Sequence, residues 1–222
     1  MKLGFRIQKS AFLPFSYAKK NYPLAAIAKK PVIFDVGANI GQSAIWYAAE
    51  FPEAEIHSFE PFEAIYRILS KSVRGRPRII PQQLALGEAQ GTVLAPRVFD
   101  PYCQTGSISI GQNGEELEEI QIDTLDAFTA RNNIQIIHIL KTDTEGYDLD
   151  VLKGSKRMLS EGKILHVLSE ATILSDDTEH TQLRELEALL SEFGMSLRSI
   201  LDLHHDPITG ELLYFNALFT KQ

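Results

Sequence analysis

The chain has 222 residues, 44% of them hydrophobic and 23% charged, which is the composition of an ordinary globular protein long enough for one sizeable core. No apolar run reaches the length of a membrane span, and the single cysteine, Cys103, excludes an intramolecular disulfide and points to a reducing, cytoplasmic setting. The net charge of −7 is uneven: residues 1–30 hold seven Lys or Arg and no acid, whereas the acidic body has no basic stripe, which argues against nucleic acid as a partner.

In the first 30 residues Phe5, Phe12, Phe15, Tyr17 and Tyr22 interleave with the basic side chains. This stretch reads as a packed N-terminal arm or cap with solvated lysines, and peripheral contact with an anionic or membrane surface is its alternative. MKLGFRIQK before SAFLPFSYA has the order of a leader, but Pro14 and Ser16 interrupt the apolar part and no small-residue cleavage site follows. Residues 31–222 are expected to form the main domain.

That domain opens with a strand, a glycine loop, a helix, a second strand and an acid. Val32-Ile33-Phe34 is an apolar strand ending at Asp35, and Gly37-Ala38-Asn39-Ile40-Gly41 turns the chain. Ser43 to Phe51 is apolar on most sides, so the helix it forms is expected to be largely buried; Pro52 stops it. Glu55 to Phe59 alternates as a second strand and ends at Glu60-Pro61. This is half of a nucleotide-binding unit. Gly37 and Gly41 permit positive φ and close approach of a ligand. Glu60, 19 residues beyond Gly41, stands where an acid grips both hydroxyls of a ribose. Asn39 occupies the place where a dinucleotide loop needs its middle glycine, and Gln42 replaces the lysine of a phosphate-binding loop. The pattern suits a ligand with an adenosine ribose, no phosphates and an amino group for Asp35 to hold. S-adenosylmethionine meets these requirements.

Phe62 to Val73 reads as a helix with Ile65, Ile68 and Leu69 on one face. Arg78 to Leu86 is a strand interrupted by Pro81, and Ala85 and Leu86 at its end are candidates to flank an adenine or to be ordinary core. Val93-Leu94, Ser107 to Ile110 and Ile120 to Ile122 are further short strands, and Thr124 caps a helix from Leu125 to Arg131. Ile134 to Asp143 is a buried strand. At its end Lys141, Asp143 and Glu145 share one side by period two. Asp148 is expected to cap a helix carrying Leu149, Leu152 and Leu159. Ile164 to Ser169 is the fifth strand, with Glu170 at its edge. A polar loop, Asp176 to His180, and an amphipathic helix, Thr181 to Phe193, follow. Leu197 to Leu203 and Leu212 to Thr220 are terminal strands. His204-His205-Asp206 has metal-ligand content, but adjacent strand histidines point to opposite faces, so turn chemistry is expected there. Residues 92–120 and 171–180 carry no readable substrate code.

FDVGANIGQSA with HSFEP, QLALGEAQG at 83–91, IDTLDAF at 122–128 and LKTDTEGYDLDVLKGS at 140–155 together resemble the FkbM-type family of S-adenosylmethionine-dependent methyltransferases, over about Pro31 to Glu170. The resemblance implies an α/β, Rossmann-like class I methyltransferase fold, with a mostly parallel seven-stranded sheet and helices on both faces. It also implies methylation of hydroxyl oxygens, commonly on sugars or natural products, hence a small-molecule or glycan acceptor. In that frame Glu60 and Pro61 hold the ribose, and Asp35, Gly37, Ala38, Asn39 and Gly41 orient the methionine end. Asp143 and Glu145 orient or deprotonate the acceptor, directly or through a divalent cation, with Asp143 the preferred base. The acids around Lys141 keep it charged, so it is an orienting partner. An NAD-dependent oxidoreductase and a non-catalytic adenosine-binding module are the competing readings.

Overall fold

The computed structural model describes residues 28–98 and 116–221. The N-terminal arm up to residue 27, Cys103 and the strand expected at Ser107 to Ile110 lie outside these residues.

The first strands and helices follow the expected alternation: β1 (Val32–Val36), α1 (Gln42–Glu50), β2 (Glu55–Phe59), α2 (Glu63–Ser72) and β3 (Ile79–Gln82). Pro81 lies inside β3, in register with Ser58 of β2, and is tolerated because β3 is the sheet edge and needs no donor on its outer side. Next come β4 (Ala85–Leu86), β5 (Gly91–Pro96), β6 (Leu117–Asp123) and α3 (Leu125–Arg131). Thr124 caps α3 as expected, its hydroxyl accepting the N–H of Ala127 at 3.1 Å.

The second half holds β7 (Ile137–Thr142), α4 (Asp148–Lys153), α5 (Lys156–Ser160), β8 (Ile164–Ala171), α6 (Leu183–Ser191), β9 (Met195–His205) and β10 (Leu212–Lys221). The single helix expected after Asp148 is two helices, divided at Gly154. A Cβ there would stand 2.0 Å from the carbonyl oxygen of Gly87, so the glycine lets two segments touch by their backbones. Asp148 is the first residue of α4 rather than its cap, and its side chain is buried.

Seven strands form one sheet in the order β3-β2-β1-β7-β8-β10-β9, in which β10 runs antiparallel to both neighbours and the rest are parallel. The expected sheet is therefore present. β4, β6 and β5 make a separate three-stranded sheet. The chain builds outward from β1 through β2 to β3, then returns to β1's other side with β7 and β8. The order reverses between β1 and β7, the crevice where open α/β sheets bind ligands.

Alternation along the strands fills both faces. Phe34, Val36, Ile137 and Leu140 join one core with Leu125, Phe128, Leu186 and Leu190. Ile33, Ile56 and Ile139 face the other way, onto Ala44 and Tyr47 of α1 and Leu69 of α2. The expectation that α1 is largely buried needs correction: only Ala44 and Tyr47 are. Ile45, Ala48 and Ala49 instead line an open cavity of about 430 Å³ at the amino end of the sheet, with Pro52, Ala54 and Ile79.

Candidate functional site

β1 ends in the glycine loop, and that loop is closed on itself. The N–H groups of Gly37 and Ala38 both reach the carbonyl of Phe59, at 3.1 and 2.9 Å. Asn39 N–H donates to Glu60 Oε2 at 3.1 Å, Ile40 N–H to Asn39 Oδ1 at 2.7 Å, and Gly41 N–H to the carbonyl of Ala38 at 2.9 Å. With these five donors engaged, the loop offers none of them to a phosphate, unlike a dinucleotide cradle. Asn39 holds a left-handed φ of 47°, which its short polar side chain tolerates.

Both glycines take the expected positive φ, 75° and 97°, but the close approach they permit is by the chain itself. A Cβ on Gly37 would stand 1.8 Å from the carbonyl oxygen of Asp143, and one on Gly41 would meet Leu69 Cδ1 at 2.9 Å. Their missing side chains admit the chain itself, the β7 end in one case and α2 in the other. Ala38 is buried in the core beside α1 and α2.

Glu60, at the end of β2, carries the adenosine expectation. Phe62 N–H donates to its Oε1 at 3.0 Å, so the chain turns at Pro61 and returns to the same carboxylate. Two backbone donors leave roughly half of the carboxylate's acceptor sites for the two hydroxyls of a ribose. Burial lifts its pKa to about 7 against the pull of the Phe62 and Asn39 N–H groups. The loop and Glu60 therefore fit an adenosine ligand without phosphates. Ala85 and Leu86 are buried in the pairing of β4 with β6, Leu86 within the main core. Packing alone accounts for that burial.

Asp35 is 0% exposed, so it reaches no ligand directly from its place in β1. Burial raises its pKa, opposed by Lys141, whose Nζ lies 3.3 Å from Oδ1. Lys141 pairs with Asp35 in the β1–β7 register, lies 3.1 Å from Asp143 Oδ2, and approaches the carbonyl of Gly37 at 3.5 Å. Burial disfavours its charge, but Asp143 and Asp35 outweigh that and hold its pKa above the ordinary lysine value. It is a fixed cation linking the two strands.

Beyond β7 the chain turns through Glu145 and Gly146, both left-handed, at φ 53° and 93°. Burial and the charge of Asp143 raise the pKa of Glu145. Asp148 is pushed up to about 6 by burial, partly offset by the Thr142 hydroxyl. Glu170, at the end of β8, is pushed up to about 10 by burial and by Asp143, Asp148 and Glu145. Lys141, Asp143 and Glu145 are thus gathered as expected, and Glu170 joins them.

Sequence reasoning missed three neighbours. His180 Nδ1 lies 2.8 Å from Asp177 Oδ2, and Nε2 lies 3.6 Å from Glu170 Oε2. Tyr214 stacks between His180 and His204, with both ring separations 4.3 Å. The spacing of Asp177 and His180 marks a local turn, but nothing in the sequence brings that turn to β8. At the expected turn, Asp206 Oδ1 accepts the N–H groups of Ile208 and Thr209. Among the described residues no group of three or more His, Cys, Asp or Glu is placed to hold a metal ion, and no helix is long and apolar enough to cross a membrane.

A family model described as the methyltransferase FkbM domain matches residues 35–197. The methyltransferase sdnD of Sordaria araneosa is 25% identical over 166 residues, covering 60% of this chain and 63% of that protein. The hexuronic acid methyltransferase AglP of Haloferax volcanii is 27% identical over 131 residues, covering 58% of this chain and 51% of its own. The chain thus spans less than two thirds of the length of these curated relatives. A solved structure of a pericyclic reaction enzyme covers 94% of this chain and 47% of its own at a TM-score of 0.50 and 9% identity, a likeness of fold alone. With the family model spanning most of the chain, the chain belongs to the FkbM methyltransferase domain family, whose cofactor is S-adenosylmethionine.

Proposed function

We propose that the protein is an S-adenosylmethionine-dependent O-methyltransferase acting on a hydroxyl of a sugar or natural product. One observation supports the donor site above the others: the glycine loop saturates its own N–H groups while Glu60, fixed to it through Asn39, keeps acceptor capacity. A pyrophosphate would find no donors in that loop, whereas a ribose would find its acid. The acceptor class is carried over from the family resemblance and from one relative, a hexuronic acid methyltransferase.

S-adenosylmethionine supplies an electrophilic methyl group on a sulfonium, so the protein contributes alignment and proton removal. Glu60 binds the ribose. Asp35 acts through Lys141, fixing the Gly37 carbonyl at the methionine end. Asp143 and Glu145 hold the acceptor across the β1–β7 crevice. The acceptor is a small molecule or glycan, and residues 31–222 act as one domain.

Calorimetric titration with S-adenosylhomocysteine tests this reading. Micromolar binding is expected, and it is expected to disappear in Glu60→Ala. An intact protein that ignores S-adenosylhomocysteine and binds NAD would sink the reading.

A further inference from the structure

His180 lies in the loop between β8 and α6, and its ring is fixed at one edge and on one face. The Asp177 carboxylate takes Nδ1 on one oxygen, and its other oxygen accepts the N–H groups of Glu179 and His180 at 2.8 and 3.0 Å. An ionised carboxylate only accepts, so the proton of a neutral ring belongs on Nδ1 and Nε2 keeps its lone pair. Tyr214 covers one face of the ring at an interplanar angle of 14°. The loop is pinned at its base, where Thr172 N–H reaches the carbonyl of Thr181 and Leu183 N–H that of Thr172, both at 2.9 Å.

The open nitrogen is aimed at the acceptor side. Its nearest acid, Glu170 Oε2, stands 3.6 Å away, longer than a hydrogen bond. The loop also rests on the turn that carries Asp143 and Glu145: the carbonyl oxygen of Glu179 is 3.2 Å from where a Cβ on Gly146 would stand. Asp143 is already engaged on one oxygen, with Lys141 Nζ 3.1 Å from its Oδ2.

We propose that His180 is the base that takes the proton from the acceptor hydroxyl, with Asp177 as its positioning residue. The proposal rests on the methyltransferase reading above. The acceptor's O–H bond breaks and its proton moves to Nε2, giving an imidazolium that Asp177 stabilises. The freed oxygen pair forms the new bond to the methyl carbon. The carbon–sulfur bond breaks, its electron pair stays on sulfur, and the sulfonium becomes a neutral thioether. The groups facing His180 are Asp177 on its own loop, Glu170 on β8, Tyr214 on β10 with His204 of β9 behind it, and Glu145 across the turn.

The test compares the intact protein with His180→Gln and Asp177→Asn. Turnover is read on methyl glycosides of hexoses and hexuronic acids, and S-adenosylhomocysteine affinity by calorimetry. His180→Gln is expected to bind S-adenosylhomocysteine as the intact protein does and to lower kcat about 100-fold or more, with little change in KM. Asp177→Asn should lower kcat at least about tenfold, and it carries the kinetic test should His180→Gln not fold. Nitrogen-15 shifts of the imidazole in the S-adenosylhomocysteine complex should place the proton on Nδ1. Undiminished turnover in His180→Gln, or a proton resident on Nε2, overturns the proposal. If the intact protein turns over none of the glycosides, the tautomer decides alone. Loss of S-adenosylhomocysteine binding in the intact protein is a different failure, that of the methyltransferase reading, and the role of His180 falls with it.

Discussion

At the β1–β2 end of the crevice each carboxylate has partners supplied by the fold: two backbone N–H groups for Glu60, a lysine for Asp35. Across the crevice, Glu145, Asp148 and Glu170 crowd one another around Asp143, and burial and mutual repulsion raise all three pKa values. The first arrangement is braced by the fold before any ligand arrives, although burial raises Asp35 and Glu60 as well and Glu60 keeps acceptor capacity. The second is electrostatically unfinished. Glu170, raised to about 10, is protonated near neutral pH and donates as well as accepts.

The strongest way to break the comparison is to separate the two halves. Gly37 joins them, because its φ of 75° and its contact with the Asp143 carbonyl leave no room for a methyl group. Gly37→Ala is expected to cost about 4 kcal/mol or more, lowering Tm by about 10 °C and abolishing S-adenosylhomocysteine binding. A Tm within two or three degrees of the parent would show that the β1 and β7 ends are not locked together.

Lys141→Met comes next. It leaves Asp35 as a buried charge without its cation, for which about 3 kcal/mol of destabilisation is expected near neutral pH. The loss should shrink on acidification as Asp35 takes up a proton, and the second substitution Asp35→Asn should restore much of it. Equal damage in the single and double variants would mean that Lys141 stabilises by packing rather than by pairing.

These two predictions concern the part of the site that was legible from sequence. Asp35, the glycine loop and Glu60 fall within 26 consecutive residues, and period two alone sets Lys141 and Asp143 on one side of β7. The positive φ of the glycines was legible, but what packs against them was not, since Gly37 answers to a residue 106 positions away. The side proposed for the acceptor is assembled from β7, β8, the loop before α6, β9 and β10. Tyr214 between two histidines is a tertiary fact that no local pattern announces. The small sheet was hidden for the same reason: β4 has two residues and finds β6 some thirty positions later. The incomplete burial of α1 was misread because an apolar helix surface can line a cavity as well as fill a core.

Glu60→Gln sharpens the cofactor half at smaller cost. It removes the charge that would meet the ribose and leaves one of the Asn39 and Phe62 N–H groups without an acceptor, a loss of about 1 kcal/mol of stability. S-adenosylhomocysteine affinity should fall about tenfold or more, whereas Tm should change by only about 3 °C. A comparable loss of stability without loss of affinity would make Glu60 a loop brace and nothing else.

The last test is a slope, and it asks whether the acceptor half is electrostatically unfinished. Glu170 has a folded-state pKa of about 10, against an ordinary glutamate value of 4.5, through burial and its acidic neighbours. The folded state therefore holds a proton that the unfolded state has released over that interval. The stabilisation from this group is full below pH 4.5 and is lost progressively as pH rises towards and through 10. Glu170→Gln keeps the side chain neutral throughout and removes this dependence. Thermal unfolding followed from pH 5 to pH 9 should show nearly equal Tm values for parent and variant at pH 5, and a parent that falls behind as pH rises. Glu60 and Asp148, raised to about 7 and about 6, tilt both curves in the same direction, so the difference between the curves reports Glu170 and its repulsion of Asp148 and Glu145. Parallel curves would mean that Glu170 is ionised and compensated in the folded protein, with His180 Nε2, 3.6 Å away, as the proton's holder. That outcome would make the two halves of the crevice electrostatically alike.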